Sequence, residues 1–188
     1  MELSAVEKYM LLLLYANRNG VRGRLWLQKE MFELAHAFDE LRKEADYEAY
    51  PYGPSSERVD KVLDTLQNSG LINEDLKLTE EGLKLAEKLW REEDEKNKAV
   101  IKRVKDFYES LDKDELLLYV YTKHKDMASK SEVKKAILGR RVSIALKMLR
   151  EGKISIGLAA ELAGLTIDEM RKLAIKKGIK PYILEDIQ

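Results

Sequence analysis

The stretch Ile154-Ser-Ile-Gly-Leu-Ala-Ala-Glu-Leu-Ala-Gly-Leu-Thr-Ile-Asp-Glu-Met-Arg-Lys-Leu-Ala-Ile-Lys-Lys-Gly178 reads as two short helices joined by a tight turn. Ala160 stands where the helices cross most closely, a place for a small side chain. Gly164, four residues on, can take the left-handed backbone that ends the first helix. Thr166 then caps a second helix expected to reach Lys177, and Glu169 completes a capping box, with Leu165 and Met170 as its hydrophobic staple. Leu158, Leu162, Met170 and Leu173 close a small core. This is the spacing of a helix-turn-helix, whose second helix lies in the major groove of DNA with its N-terminal part toward base edges. Thr166, Asp168, Arg171, Lys172 and Lys176 are the residues expected to meet a duplex there. The same spacing also describes ordinary helical hairpins with a solvated charged face, and Asp168 and Glu169 set negative charge beside phosphates.

The helix before this unit is predicted to run from Ser131 to Glu151. It turns Val133, Ile137, Ile144 and Met148 inward and Lys134, Lys135, Arg140, Arg141, Lys147 and Arg150 outward. Lys134, Arg140, Arg141 and Lys147 are placed to grip phosphates, while Arg171 and Lys172 read or frame bases. The charge distribution agrees. Formal net charge is zero over 188 residues, yet residues 120–188 carry 15 Lys and Arg against 8 Asp and Glu, and the preceding 119 carry 19 against 26. A footprint for a polyanion is therefore expected only on the C-terminal part. One such unit buries little surface, so a homodimer on two half-sites of double-stranded DNA is the natural arrangement.

Toward the N-terminus, Val6, Tyr9, Met10, Leu13 and Leu14 share a broad apolar stripe, which predicts a buried helix over Ser4 to Asn17. A second helix is predicted over Leu25 to Phe38, followed by an aromatic loop, Tyr47-Glu-Ala-Tyr-Pro-Tyr-Gly-Pro54, whose prolines forbid helix. Ser55 can cap a third helix reaching Ser69, and Ile72 to Leu78 is a short extended segment suited to one small hairpin. Three helices followed by a hairpin is the winged-helix pattern. Thr79 restarts helix. Arg91 to Lys98 contains no apolar residue and reads as a solvated helical connector, and Asp112 with Glu115 offers another capping box. The expected architecture is mostly α with a small β-wing. A winged-helix-like domain spans 1–90, a helical connector 91–130, and a basic helix plus helix-turn-helix 131–188.

Composition narrows the function classes. There is no cysteine, hence no disulfide framework, thiolate metal site or thiol nucleophile, and a reducing cytoplasm is the expected home. Charged residues make up 36% of the chain, which suits a thermophile's ion-pair-rich surface. No apolar run approaches the roughly 20 residues of a membrane span. His36 and His124 fall on different predicted helices, and no Gly-rich phosphate loop or Gly-x-Ser-x-Gly elbow is present. The sequence advertises neither catalysis nor a metal or cofactor, and a non-enzymatic regulator is expected.

Two resemblances extend this. Leu149-Arg-Glu-Gly-Lys-Ile-Ser-Ile-Gly-Leu-Ala-Ala-Glu-Leu-Ala-Gly164, followed by Lys177-Gly-Ile-Lys-Pro-Tyr182, lies within a stretch, 137–187, that resembles the small antitoxin-like helix-turn-helix proteins, an uncharacterised protein family of archaea and cyanobacteria. That resemblance implies a protein that represses its own operon and holds a neighbouring nuclease-like toxin inactive. Such proteins are usually small and stand alone, whereas this chain carries a much larger N-terminal part. Leu27-Gln-Lys29, Tyr50-Pro-Tyr-Gly-Pro54, Gly70-Leu-Ile72 and Leu78-Thr-Glu-Glu-Gly82 make residues 5–90 similar to the Panacea antitoxin domain. This implies recognition of a toxin-like protein partner, with Tyr50 and Tyr52 of the aromatic loop as the contact surface. The alternative is that these rings only pack a turn. The third helix carries Arg58 and Lys61 against Glu57, Asp60 and Asp64, a balance that repels phosphate and keeps DNA away from this part.

Overall fold

The computed structural model describes residues 3–17, 20–129, 131 and 133–180. It is mostly helical, with one small two-stranded antiparallel sheet, and no described helix is long and apolar enough to cross a membrane. The chain divides into two compact units. The first takes the chain up to Tyr50 together with Pro54–Ser110, and the second takes Pro51–Gly53 and the chain from Leu111 onward.

In the first unit, α1 (Ala5–Tyr15) is the central element, with a run of buried residues from Tyr9 to Tyr15. A helix apolar on all sides can be satisfied only by being surrounded. It is packed by α2 (Arg24–Ala37), α3 (Asp39–Ala45), α4 (Glu57–Asn68), α5 (Glu80–Glu92) and α6 (Glu95–Ser110). Ser4 and Glu7 form the capping box that starts α1. Thr79 caps α5 as predicted, but the cap of α4 is Ser56 rather than Ser55. Helix α5 crosses so close to the backbone at Leu71 that a Cβ on Gly82 would collide with the Leu71 carbonyl oxygen.

The small sheet does not lie at Ile72 to Leu78, the extended segment expected to form a hairpin. Ile72 to Leu78 makes a single antiparallel bridge between its ends, closed over a turn in which Asn73 accepts from Lys77 and Leu76 adopts φ 56°. The strands are instead β1 (Glu48–Tyr50) and β2 (Gly53–Ser55), formed by the aromatic loop. Prolines exclude helix but not a two-stranded hairpin, which has free edges, and Gly53 at φ 86° supplies the left-handed residue its turn needs. Residues 39–45, for which periodicity predicts no element, form α3 on two buried apolar side chains, Leu41 and Ala45.

The segment 91–130, expected to be a connector, is shared between the units. Helix α5 ends at Glu92, and α6 sends Ile101 into the first core. The second unit begins with α7 (Lys113–Lys123), opened by the Asp112–Glu115 capping box. It continues through α8 (Lys134–Gly139), α9 (Arg141–Arg150), α10 (Ile156–Ala163) and α11 (Ile167–Lys176). The single helix predicted over Ser131 to Glu151 is therefore two. It breaks at Arg140, φ −110° and ψ 9°, directly after Gly139, a residue that disfavours helix interiors.

Candidate nucleic-acid interface

The corner predicted at 154–178 forms with the expected chemistry. Ser155 caps α10 by accepting from the Leu158 amide at 3.2 Å. Ala159, Ala160 and Ala163 are buried and allow a close approach of helices, since α10 packs on both α9 and α11. Gly164 takes φ 66°, and the Leu165 amide donates to the Ala160 carbonyl at 3.0 Å, a Schellman closure. Two residues later the Thr166 hydroxyl accepts from the Glu169 amide at 3.2 Å, while the Thr166 amide donates to Glu169 Oε2 at 2.8 Å. The Thr166 amide and the Thr166 hydroxyl both donate to that carboxylate and hold it below its ordinary pKa. The far end of α11 closes similarly. Gly178 lies at φ 68°, the Ile179 amide donates to the Ala174 carbonyl at 2.9 Å, and Ile179 is buried. Lys177-Gly-Ile179 is thus the stop signal of α11, while Pro181 and Tyr182 lie outside the described residues.

Helix α11 is therefore fixed at both ends and held on one side through Met170 and Ala174, both buried. Among the described residues its other side is open. Thr166, Asp168, Arg171, Lys172 and Lys176 are all exposed. Arg171 Nη1 donates to Asp168 at 3.1 Å, so that pair is neutral in sum. Glu169, exposed and held ionised by the cap, offsets one unit of charge, so α11 and its C-cap present Lys172, Lys176 and Lys177 against a single carboxylate.

Two of the residues expected to grip phosphate are occupied. Arg140 Nη1 donates to Asp114 Oδ2 at 2.7 Å, and Lys147 Nζ donates to Asp112 Oδ2 at 2.5 Å and to Glu115 Oε1 at 2.9 Å. Lys153 joins them, 2.8 Å from Glu115 Oε2 and 2.6 Å from Glu151. Burial pushes the Glu115 carboxyl up, but the bonds from Lys153, Lys147 and the Asp112 backbone outweigh it and hold the group below its ordinary pKa. Hydrogen bonds donated to the two carboxylates hold the Lys147 ammonium well above its usual value. The basic face of α9 is thus stitched to the acidic start of α7. The sequence signal was present in the three acids at 112–115, just outside a charge window opened at residue 120. Over residues 111–188 the balance is 16 basic against 11 acidic.

Lys134 and Arg141 are placed differently. Together with Lys135, Leu138 and Gly139 they line a surface groove of about 630 Å³. The Arg141 guanidinium also lies over the turn, where a Cβ added to Gly164 would sit 2.6 Å from its Cζ. Arg141 therefore joins the α8 groove to the start of α11. Periodicity did not single out Ile167 and Ile175, which stand on α11 at 50% and 64% exposure.

In the first unit the aromatic loop is clamped from beneath. Gln28 and the Ser56 backbone bond reciprocally at 2.9 and 3.0 Å, and the buried Lys29 Nζ donates to the Pro54 carbonyl at 2.6 Å. The Gln-Lys pair and the Pro-Tyr-Gly-Pro motif are thus two sides of one contact. Tyr50 donates to Glu57 at 3.4 Å beside a cleft of about 350 Å³ with Asp46, Glu48, Arg58 and Lys61 on its walls. Tyr52, which belongs with the second unit, is 45% exposed with the Lys113 ammonium of that unit 5.2 Å from its ring centre. His36 Nδ1 lies 2.9 Å from the Phe32 carbonyl oxygen, and His124 follows the last turn of α7. No protein-family model, curated protein or solved structure matches this chain.

Proposed function

We propose that the protein is a DNA-binding transcriptional regulator whose α11 enters the major groove. The observation that carries this is the open face of α11. A short helix is locked at both ends and backed by α10, and it presents Lys172 and Lys176 to solvent. Thr166 and Arg171 stand on the same exposed helix, with Asp168 tempering the arginine. Phosphate contacts come from Arg141, beside the turn, and from Lys134 and Lys135 in the adjoining groove, rather than from Arg140 and Lys147. A homodimer would set two such helices about one helical turn of DNA apart. The test is fluorescence anisotropy with duplex DNA at several salt concentrations. Affinity should fall steeply with salt, and binding that ignores salt would overturn the reading.

The second reading concerns the first unit, a helical module of winged-helix-like order that would recognise a toxin-like protein. It is favoured by the polar clamp from Gln28 and Lys29, which makes the Tyr50 hairpin a fixed rather than a yielding surface. In this reading the protein is the cytoplasmic antitoxin of an operon it also represses. A stoichiometric partner should co-purify from the native host, and its loss on Tyr50→Ala or Glu57→Ala would locate the contact. Purification without any partner would count against it.

A further inference from the structure

Ile167 and Ile175 of α11 leave half or more of their surface in water, and among the described residues they are two of the three large apolar side chains so exposed, the other being Tyr52. Ile167, Arg171 and Ile175 are spaced by four and therefore form one row along the open side of the helix. Lys172 and Lys176 flank that row, one position further round. Such a surface is not a protein core waiting for a cover. An apolar partner closing over both isoleucines would also bury Arg171 with Asp168 and desolvate the lysine row. A surface that is both apolar and anionic fits instead, and the major groove is one: thymine presents a C5-methyl group there while phosphates line both edges.

We infer that α11 reads thymines, with Ile167 and Ile175 packing on C5-methyl groups. This rests on the DNA-binding reading above and deepens it from a polyanion to a duplex of defined composition. Eight residues at about 1.5 Å rise separate the two isoleucines by about 12 Å. At about 3.4 Å per base step, the methyls they touch lie three to four steps apart. Arg171 falls between them and faces the intervening pairs. Its bond to Asp168 is an exposed surface pair, so a base contact there displaces that bond at little cost.

The experiment uses the full-length protein. Bound duplexes are selected from a randomised pool at moderate salt, and the enriched duplexes are remade with deoxyuridine in place of each thymine, which removes only the methyl group. Enriched sites should carry thymines three to four steps apart, and each replacement at those positions should weaken binding about fourfold, the value of one buried methyl. Ile167→Ser and Ile175→Ser, both at exposed positions, should each erase the methyl dependence at one of the two thymines while the salt dependence stays. Salt-dependent binding that is equal on thymine and deoxyuridine duplexes would overturn the inference and leave the DNA-binding reading standing. Failure to enrich any duplex would overturn both. Should Ile175→Ser then abolish self-association in sedimentation, the apolar row would belong to a second copy of this chain.

Discussion

Both units carry ion pairs at their surfaces, such as Arg24 with Asp64 and Arg140 with Asp114, but they differ in what they take inside. In the first, charge is taken into the core. Lys105 and Glu30 are both fully buried and 3.2 Å apart, Glu109 lies 3.0 Å from the same ammonium, and Lys29 is buried against a carbonyl. Among the described residues of the second unit, the ion pairs reach the surface, and the one buried acid, Glu115, is approached from outside by Lys147 and Lys153. Buried charge specifies a packing at a stability cost, whereas surface charge costs little and remains available to a ligand. What matters for function is therefore which cations the protein's own acids have already taken.

The largest expected effect tests the buried side. Burial pushes the Lys29 ammonium down to about 7, against a pull upward from Asp60. Its folded value lies below its unfolded one, so between pH 7 and about 10.5 the unfolded chain holds a proton that the folded chain has released. Stability from this group therefore rises with pH across that window, by up to about 5 kcal/mol. Lys29→Met should remove the rise and be the more stable protein at pH 7, as read by urea unfolding at a series of pH values. A flat difference between the two proteins would break the comparison.

Next comes the pair itself. Burial pushes the Glu30 carboxyl well up, Lys105 pulls it down, and Glu30 Oε1 has no hydrogen-bond partner. Lys105→Ala should destabilise by about 3–5 kcal/mol because it strands a buried acid, while the double change Lys105→Met, Glu30→Leu should recover most of that. Calorimetry of the three proteins separates these outcomes. A double variant as weak as the single one would mean that the ion pair is worth more than its isosteric replacement.

The third prediction sharpens the surface side by comparing α9 with α11. Lys172→Glu with Lys176→Glu should weaken duplex binding at least tenfold and lower the salt slope by about two. Arg140→Glu with Lys147→Glu should leave the salt slope unchanged and instead lower the stability of the second unit, since it sets like charge against Asp112, Asp114 and Glu115. Equal losses of binding from both pairs would mean that α9 lies at the interface after all.

How much of this was legible in the sequence depends on range. Caps and turns are written within five residues, so Thr166 with Glu169, Asp112 with Glu115, and Gly164 could all be read directly. The break at Arg140 escapes the apolar period, which runs through it, and shows only in Gly139; the prolines of the aromatic loop do exclude helix, but the hairpin there also needs the left-handed turn that Gly53 supplies. The fate of Arg140 and Lys147 was not legible at all. Their partners lie 26 and 32 to 35 residues away on α7, and only the tertiary fold brings α7 beside α9.

The smallest effect falls on the turn that joins the helices. Gly164→Ala puts a side chain at φ 66°, which costs about 1 kcal/mol, and its Cβ meets the Arg141 guanidinium, the far end of a flexible side chain that can swing aside. The fold should survive with a melting shift of a few degrees, but Arg141 should leave its place over the turn. If that place is where Arg141 meets phosphate, Gly164→Ala should lower duplex affinity and Arg141→Ala should lower it no further when added. Additive losses from the two changes would show that Arg141 binds from the α8 groove without reference to the turn, and the bridge between the two basic regions would then have no functional meaning.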